Sequence, residues 1–195
     1  MKMSVEVGER DVMERAQGAE PAARPGALNN VLQDTRLLLV GLWLGASLFF
    51  SFAVAPGVFR VLRDSTALYA NHLAGTIVTR NLAVINTSGL VLSLLLLASA
   101  FLFRQGAGRR AFPAEIISLA VVAAATSLGQ WMIAARMLAL RAQMGRPIDE
   151  TAASDPLRVA FDNLHVYSVG ALMVAMLAAL VAFVLIARRA RRHGS

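Results

Sequence analysis

The chain has 195 residues, of which 57% are hydrophobic and only 16% are charged. Soluble domains are usually about 45–50% apolar and about 25% charged, so this composition excludes an ordinary soluble enzyme and a disordered protein. The sequence has no cysteine, which removes disulfides, iron–sulfur clusters and cysteine nucleophiles.

The two ends of the chain differ from the rest. Residues 1–34 contain six acidic residues and few apolar ones, a composition typical of a mobile tail. They hold no apolar stretch of the kind that a cleavable signal peptide needs. We therefore predict a mobile N-terminal tail at 1–34, a four-helix transmembrane domain at 35–190 and a basic C-terminal tail at 191–195.

Four stretches of 20 to 25 residues contain no Asp, Glu, Lys or Arg. About 20 helical residues cross the hydrocarbon core of a bilayer. Helices satisfy their own backbone hydrogen bonds in lipid, and the alternation of barrel strands is absent. The prediction is therefore an all-α, integral membrane four-helix bundle. The stretches are Leu37–Phe59, Asn81–Phe103, Ile116–Ala135 and Asn163–Ala187.

Local signals place several helix ends outside these stretches. Asp155 followed by Pro156 is a favourable cap and first residue for the fourth helix. Residues 145–147 (Gly-Arg-Pro) should stop the third helix. The second helix is predicted to begin near Ser65, and Pro56 should kink or end the first helix.

The distribution of basic residues predicts the orientation. Four helices put both termini on one side, which carries twelve of the Lys and Arg residues against seven on the other side. The positive-inside rule then places both termini in the cytoplasm, in what we expect to be a bacterial inner membrane. Because the basic residues flank spans, the net charge of +7 indicates contact with anionic lipid headgroups and not with nucleic acid.

Small residues at regular spacing predict close helix packing, because they let helix backbones approach each other in lipid. One set is four residues apart and a second set, on the second helix, is seven apart. They indicate a tight bundle and leave open whether the protein forms a homo-oligomer. The first set is Gly41, Gly45, Ala171, Ala175 and Ala179, and the second is Thr79, Asn86, Ser93 and Ala100.

Polar side chains collect in one half of the predicted bundle. Because alternate helices run in opposite directions, these residues all fall in the leaflet opposite the termini. Polar groups inside a membrane tend to face the bundle interior or a water-filled cavity. We expect a polar recess on the non-cytoplasmic side, with simple helix-to-helix hydrogen bonding as the alternative. The candidates are Asn81, Asn86, Gln130, Asn163, His165 and Ser168, bordered by Arg60, Arg80, Arg136 and Asp162.

His165 is the most informative of these residues, since an imidazole can bind metal, move a proton or contact an anion. The spacing of His72, Asp162 and His165 is not that of a known metal-binding motif. The sequence alone leaves open whether His165 binds a metal ion. No catalytic motif appears, and no acidic residue lies inside the four stretches. We expect neither enzymatic activity nor a cofactor.

Three segments resemble a known family: Leu42–Gly45, Val54–Arg60 and Phe161–Ser168. Together with the connection 70–80, they are similar to the transmembrane protein 205 family, which carries domain of unknown function 4149, over roughly residues 35–187. The resemblance implies a four-helix membrane protein and, in the eukaryotic branch, an association with platinum-drug resistance and export. His165 and Ser168 match its last-helix pattern, whereas Leu172 stands where the family has Asn.

The functional hypothesis is a small membrane protein that handles or exports a small solute or metal complex through the polar recess. The alternative is a structural or partner-binding membrane subunit without transport activity. That alternative predicts that the small-residue faces matter, while the change His165→Ala has no effect.

Overall fold

The computed structural model describes residues 25–65, 67–102 and 111–193, and within these ranges it contains helices and no strands. Four long helices run antiparallel to their neighbours. Helix α1 is Pro25–Phe49, continued by a π-helical segment Phe50–Val54 and by Ala55–Asp64; α2 is Ala70–Leu102; α3 is Ala111–Ser127, continued by a π-helical segment Leu128–Ala134 and by Ala135–Met144; α4 is Pro156–His193. A single 3₁₀ turn, Ile148–Glu150, lies between α3 and α4.

All four helices are long and apolar enough to cross a membrane. Their apolar helical segments span 32 to 35 residues each, well beyond the roughly 20 residues that the hydrocarbon core requires. The predicted all-α membrane bundle is therefore confirmed, and the chain is a multi-pass integral membrane protein. The excess length carries each helix past the hydrocarbon at one or both ends.

The helices form a ring in which α1 and α3 each pack against α2 and α4. The packed centre is built from Val40 and Trp43 of α1, Leu119 of α3, and a row of small residues on α4. Ala175 and Ala182 are completely buried, and the indole of Trp43 donates a hydrogen bond to the carbonyl of Ile85, at 3.0 Å. At this level the four helices therefore meet in a packed apolar centre.

The small residues expected to pack do so unequally. Gly41 lies against Phe183, whose ring is 3.1 Å from where a Cβ would stand, whereas nothing lies within 4 Å of that position at Gly45. On α4, Ala175 and Ala179 are buried and Ala171 is half-buried. On α2, the seven-residue stripe lies on the buried face: Asn86, Ser93 and Ala100 are buried and Thr79 is half-buried.

A glycine that the spacing did not indicate makes a closer contact than Gly41 or Gly45 does. A Cβ on Gly89 of α2 would stand 2.6 Å from the ring of Trp43. Because the ring also hydrogen-bonds to the α2 backbone, the position has room only for glycine.

The ends of the helices agree only in part with the sequence signals. Gly145 follows α3 with a φ of +64°, and the carboxylate of Asp155 accepts a hydrogen bond from the Leu157 N–H at the start of α4, at 2.9 Å. Both of these predicted ends are confirmed. The second helix begins at Ala70 and not near Ser65, after Tyr69 with a φ of +62°.

The terminal boundaries also differ from the expected ones. Helix α1 begins at Pro25, so residues 25–34 of the expected N-terminal tail are helical, while 1–24 lie outside the described residues. Helix α4 continues to His193, which includes three of the five residues of the expected C-terminal tail. The last two residues are again outside the described part.

Pro56 does not end the first helix, which continues to Asp64. Proline lacks an N–H, and its ring clashes with the carbonyl four residues earlier in an α-helix. The π-helical segment Phe50–Val54 immediately precedes this point. Its wider turn accommodates the ring, which explains why the chain stays helical.

The end of the bundle that carries the termini contains a buried ion cluster. Arg36 of α1 contacts Glu115 of α3 through a direct ion pair, and Arg189 of α4 lies 3.5 Å from the second Glu115 oxygen. Glu115 is 2% exposed and Arg36 is 3% exposed. The sequence treated both charges as boundaries of spans. The structure corrects this, because their mutual neutralisation lets them enter the packed interior.

Candidate functional site

A cleft of about 270 Å³ opens at the bundle end opposite the termini. We call it the recess. It lies between α2, α3 and α4, beside Phe59 of α1, and the turn Ile148–Glu150 forms part of its wall. Its polar lining comprises Asn71, Thr79, Arg141, Asp149, Arg158, Asp162, His165 and Ser168.

Arg141 of α3 is the least compensated charge in the recess. Its Nη1 donates one hydrogen bond, to the hydroxyl of Thr76, at 3.3 Å, and its guanidinium lies 5.0 Å from the centre of the Phe161 ring. Its Nε is buried without a hydrogen-bond partner in the described part of the chain. An arginine has five N–H donors, so most of the donor capacity of Arg141 is unused.

No described carboxylate lies within ion-pair distance of Arg141. The room for its guanidinium comes from Gly75 of α2, where a Cβ would stand 2.4 Å from the Nη2 atom. A half-buried guanidinium held in this way presents a planar set of donors, which suits a carboxylate or a phosphate.

Arg158 of α4 has a different role, because it holds the wall of the recess. Its Nη1 donates to the carbonyl of Ile148, at 3.1 Å, and to that of Thr151. Its Nε is 3.9 Å from the carboxylate of Asp162, a side chain that is 60% exposed. Arg158 therefore stabilises the connection between α3 and α4, and its charge is balanced in part by Asp162.

Asp149 joins the same connection to the start of α2. Its carboxylate accepts hydrogen bonds from the backbone N–H of His72, at 2.9 Å, and from both the backbone and the side chain of Asn71. These N–H groups belong to the first turn of α2, whose dipole favours a negative charge. Burial alone would raise the pKa of Asp149, but these hydrogen bonds outweigh it and lower the pKa.

A second contact supports that junction. A hydrogen bond with Glu150, together with the negative charge of Glu150, raises the pKa of Tyr69. Tyr69 stands directly before α2, and Glu150 is the neighbour of Asp149. Glu150 thus lies close to the residue before α2, next to the hydrogen bonds that Asp149 accepts from the first turn.

His165 and Ser168 lie three residues apart on the face of α4 that borders the recess. Ser168 is buried and His165 is exposed. Neither side chain forms a hydrogen bond with another described residue. Both are therefore available to a molecule in the recess.

The structure divides the sequence-predicted candidates. Asp162, His165 and Ser168 line the recess, together with residues that sequence reasoning did not select. The other candidates fall in two groups that do not line it. Exposed on the helices are Arg60, Arg80, Asn81, Arg136 and Asn163, and deeper in the bundle are Asn86 and Gln130.

The two deeper residues sit where α2 meets α3. The amide nitrogen of Asn86 would be 3.2 Å from a Cβ on Gly129, and the carbonyl oxygen of Gln130 is buried with no partner among the described residues. Both Gly129 and Gln130 belong to the π-helical segment of α3. Neither side chain lines the recess, and Asn86 packs against α3.

The metal interpretation gains no geometric support. Across the described ranges, no group of three or more His, Asp or Glu side chains could hold a metal ion. His72 does not line the recess, although the sequence left a pairing of His72 with His165 open. The polar groups that do meet there are better suited to an anion, because Arg141 contributes donors only.

Sequence reasoning missed four polar residues of the recess: Asn71, Arg141, Asp149 and Arg158. Arg158, Asp162 and His165 follow the spacing of four and then three, so they share one face of α4. That pattern could have identified Arg158. No comparable signal marks Asp149, whose position depends on contacts with α2.

A family model, described as domain of unknown function (DUF4149), matches residues 38–146. The match covers more than half of the chain and extends from α1 through α3, including Arg141. Comparison with curated proteins and with solved structures found no match. The expected likeness to domain of unknown function 4149 is thereby confirmed over these residues, and the chain belongs to the family defined by that domain.

Proposed function

We propose that this protein binds a small anionic solute in the recess, on the non-cytoplasmic side of the membrane. The observation that carries the proposal is Arg141, a half-buried guanidinium with no carboxylate within 4 Å in the described part of the chain and with most of its donors unused. Such a group is costly inside a membrane protein unless a partner arrives. An anion in the recess would be that partner.

The neighbouring groups support a specific arrangement. Asp149 is occupied by the α2 N-terminus, and Asp162 lies beside Arg158, so neither carboxylate neutralises Arg141. The unpaired side chains of His165 and Ser168 supply further polar contacts at the same wall. The solute would therefore lie between Arg141 and the start of α4.

Binding is better supported than conduction. Beyond Ser168, the interior face of α4 continues with Leu172, Ala175 and Ala179, which are all buried. A solute that crossed the membrane would require the helices to separate there. Export, which the likeness to the transmembrane protein 205 family implies, is therefore proposed only as a step that follows binding. The proposal also places both termini in the cytoplasm and the protein in a bacterial inner membrane.

Thermal unfolding of the purified protein in mild detergent tests the proposal, with inorganic phosphate, sulfate and citrate as probes. A ligand at about 100 times its dissociation constant stabilises the folded state by about 2.7 kcal/mol. We expect at least one anion to stabilise the wild type and the Arg136→Gln variant, but not the Arg141→Gln variant. Arg136 is the matched control, because it is an exposed arginine on the same helix that does not line the recess.

The control is needed because sulfate and phosphate stabilise many proteins without binding them. Equal stabilisation of the Arg141→Gln and Arg136→Gln variants would therefore refute the proposal. If that result came with a stoichiometric protein partner on purification, the alternative of a structural or partner-binding subunit would replace it.

A further inference from the structure

A second cavity adjoins the recess and opens sideways between α1 and α4. We call it the lateral groove; its volume is about 350 Å³. Its walls are almost entirely apolar and include Phe52 and Phe59 of α1 with Leu172, Met173 and Met176 of α4. Phe52 is 75% exposed and Met173 is 51% exposed, so the groove faces the lipid and not the bundle interior.

The lateral groove and the recess share part of their walls. His165 and Ser168 of α4, Phe59 of α1, and two residues of α2 line both cavities. A molecule could therefore place a polar end in the recess and continue into the groove without leaving the protein surface. The shared wall lies where the unpaired imidazole and hydroxyl groups stand.

The two cavities lie at different depths along α4. From Val169 to Ala187, α4 has no polar side chain, and these 19 residues span about 28 Å, the thickness of a hydrocarbon core. The groove follows α4 from His165 to Met176, about 16 Å at 1.5 Å per residue. The groove thus has the length of one leaflet, and the recess lies at the level of the headgroups.

On these grounds we propose that the occupant of the recess is a phospholipid, whose phosphate binds Arg141 while one acyl chain fills the lateral groove. The inference rests on the proposed function, because it identifies the anion as part of an amphiphile. Charge complementarity comes from Arg141, the uncompensated guanidinium of the recess. The apolar walls of the lateral groove suit an acyl chain. The polar recess lies on the headgroup side of the groove, which is the order of headgroup and chain in a lipid of that leaflet.

Two pairs of variants separate the phosphate contact from the chain contact. Arg141→Gln removes the guanidinium, with Arg136→Gln as its control. Met173→Trp fills the groove, and Val174→Trp is its matched control, because Val174 is 49% exposed against 51% for Met173 and does not line the groove. Both tryptophan variants add similar bulk to the lipid-facing surface of α4.

Native mass spectrometry of delipidated protein in a non-ionic detergent measures the binding. The titrants are phosphatidylglycerol and a diacylglycerol with the same chains, which lacks the phosphate. We expect both Arg141→Gln and Met173→Trp to weaken phosphatidylglycerol binding by about tenfold or more, the scale of one lost charged contact or one lost buried chain segment. The two controls should bind as the wild type does, and diacylglycerol should bind more weakly than phosphatidylglycerol.

Stabilisation by inorganic phosphate distinguishes the possible failures. A folded Met173→Trp variant should still be stabilised by phosphate, because its recess is unchanged. If Met173→Trp bound phosphatidylglycerol as well as Val174→Trp does, or if diacylglycerol bound equally well, the phospholipid inference would be overturned while the proposed anion site stood. If phosphate stabilisation and phosphatidylglycerol binding were both insensitive to Arg141→Gln, both proposals would fail.

Discussion

Removing the carboxylate of Glu115 should be among the most destabilising single changes in this protein. Glu115 pairs with Arg36 and lies 3.5 Å from Arg189, and Glu115 and Arg36 are 2% and 3% exposed. In the Glu115→Ala variant the guanidinium of Arg36 stays buried without its carboxylate. Breaking a buried pair by removing one partner costs about 3–5 kcal/mol, so we expect a loss of stability in that range.

The comparison variant is Asp162→Ala. Asp162 is also a carboxylate on a transmembrane helix, but it is 60% exposed and 3.9 Å from Arg158. Exposed pairs contribute about 0–1 kcal/mol. The two variants should therefore differ by more than about 2 kcal/mol, or roughly 30-fold in the unfolding equilibrium.

Reversible unfolding in mixed micelles, with an increasing fraction of sodium dodecyl sulfate, measures these differences. The double variant Arg36→Met with Glu115→Leu should recover part of the loss, because well-packed apolar residues can replace a buried pair at little cost, while Arg189 still loses its contact with Glu115. The reasoning would be wrong if Glu115→Ala lost no more stability than Asp162→Ala. It would also be wrong if the double variant were as unstable as the sum of its single changes.

Three further predictions concern the α1–α2 contact and the start of α2. Gly89→Ala should cost about 1–3 kcal/mol in the same unfolding assay, because its Cβ would meet Trp43. Its control, Gly45→Ala, should be neutral or should stabilise the protein by up to about 1 kcal/mol. Equal effects of the two changes would contradict the packing described. Trp43→Phe loses the hydrogen bond to Ile85 and should cost about 1 kcal/mol or more, which a stability equal to wild type would refute. The lowered pKa of Asp149 means that its contribution to stability is complete above the unfolded pKa of about 3.9 and is lost as the pH falls through the lower folded value. In the wild type, protection of the His72 amide from hydrogen exchange should therefore fall only below about pH 4. In the Asp149→Ala variant, this protection should be lower than in the wild type at every pH above about 4. Equal protection in the two proteins, with no dependence on pH, would exclude the cap.

The four helices could be predicted from the sequence because a bilayer imposes a minimum length on any uncharged stretch. The same reasoning treats each charge as a boundary, and this is why it missed the burial of Glu115. Glu115 is buried because it meets Arg36, which lies 79 residues earlier in the chain. A single sequence shows the two charges but not that they meet.

The sequence predicts the recess at the end of the bundle where the cleft lies, but it did not select several of the residues that line this cleft. Arg136 was selected because it borders an uncharged stretch, whereas Arg141 lines the recess. Five residues on an α-helix turn the side chain by about 140°, so the two arginines point in different directions. His165 and Ser168, three apart, share a face, and that spacing is why both were identified correctly as neighbours.

The π-helical segment Phe50–Val54 fixes the rotation of everything that follows it in α1. A π-helical turn holds about one more residue than an α-helical turn, so this segment takes up one extra residue without turning the helix that follows. If the same residues were wound as an uninterrupted α-helix, the downstream part, Ala55–Asp64, would turn by about 100° around the helix axis. Phe59, which belongs to the walls of both cavities, would then point away from them. The register of a single turn thus determines whether Phe59 can form part of both walls.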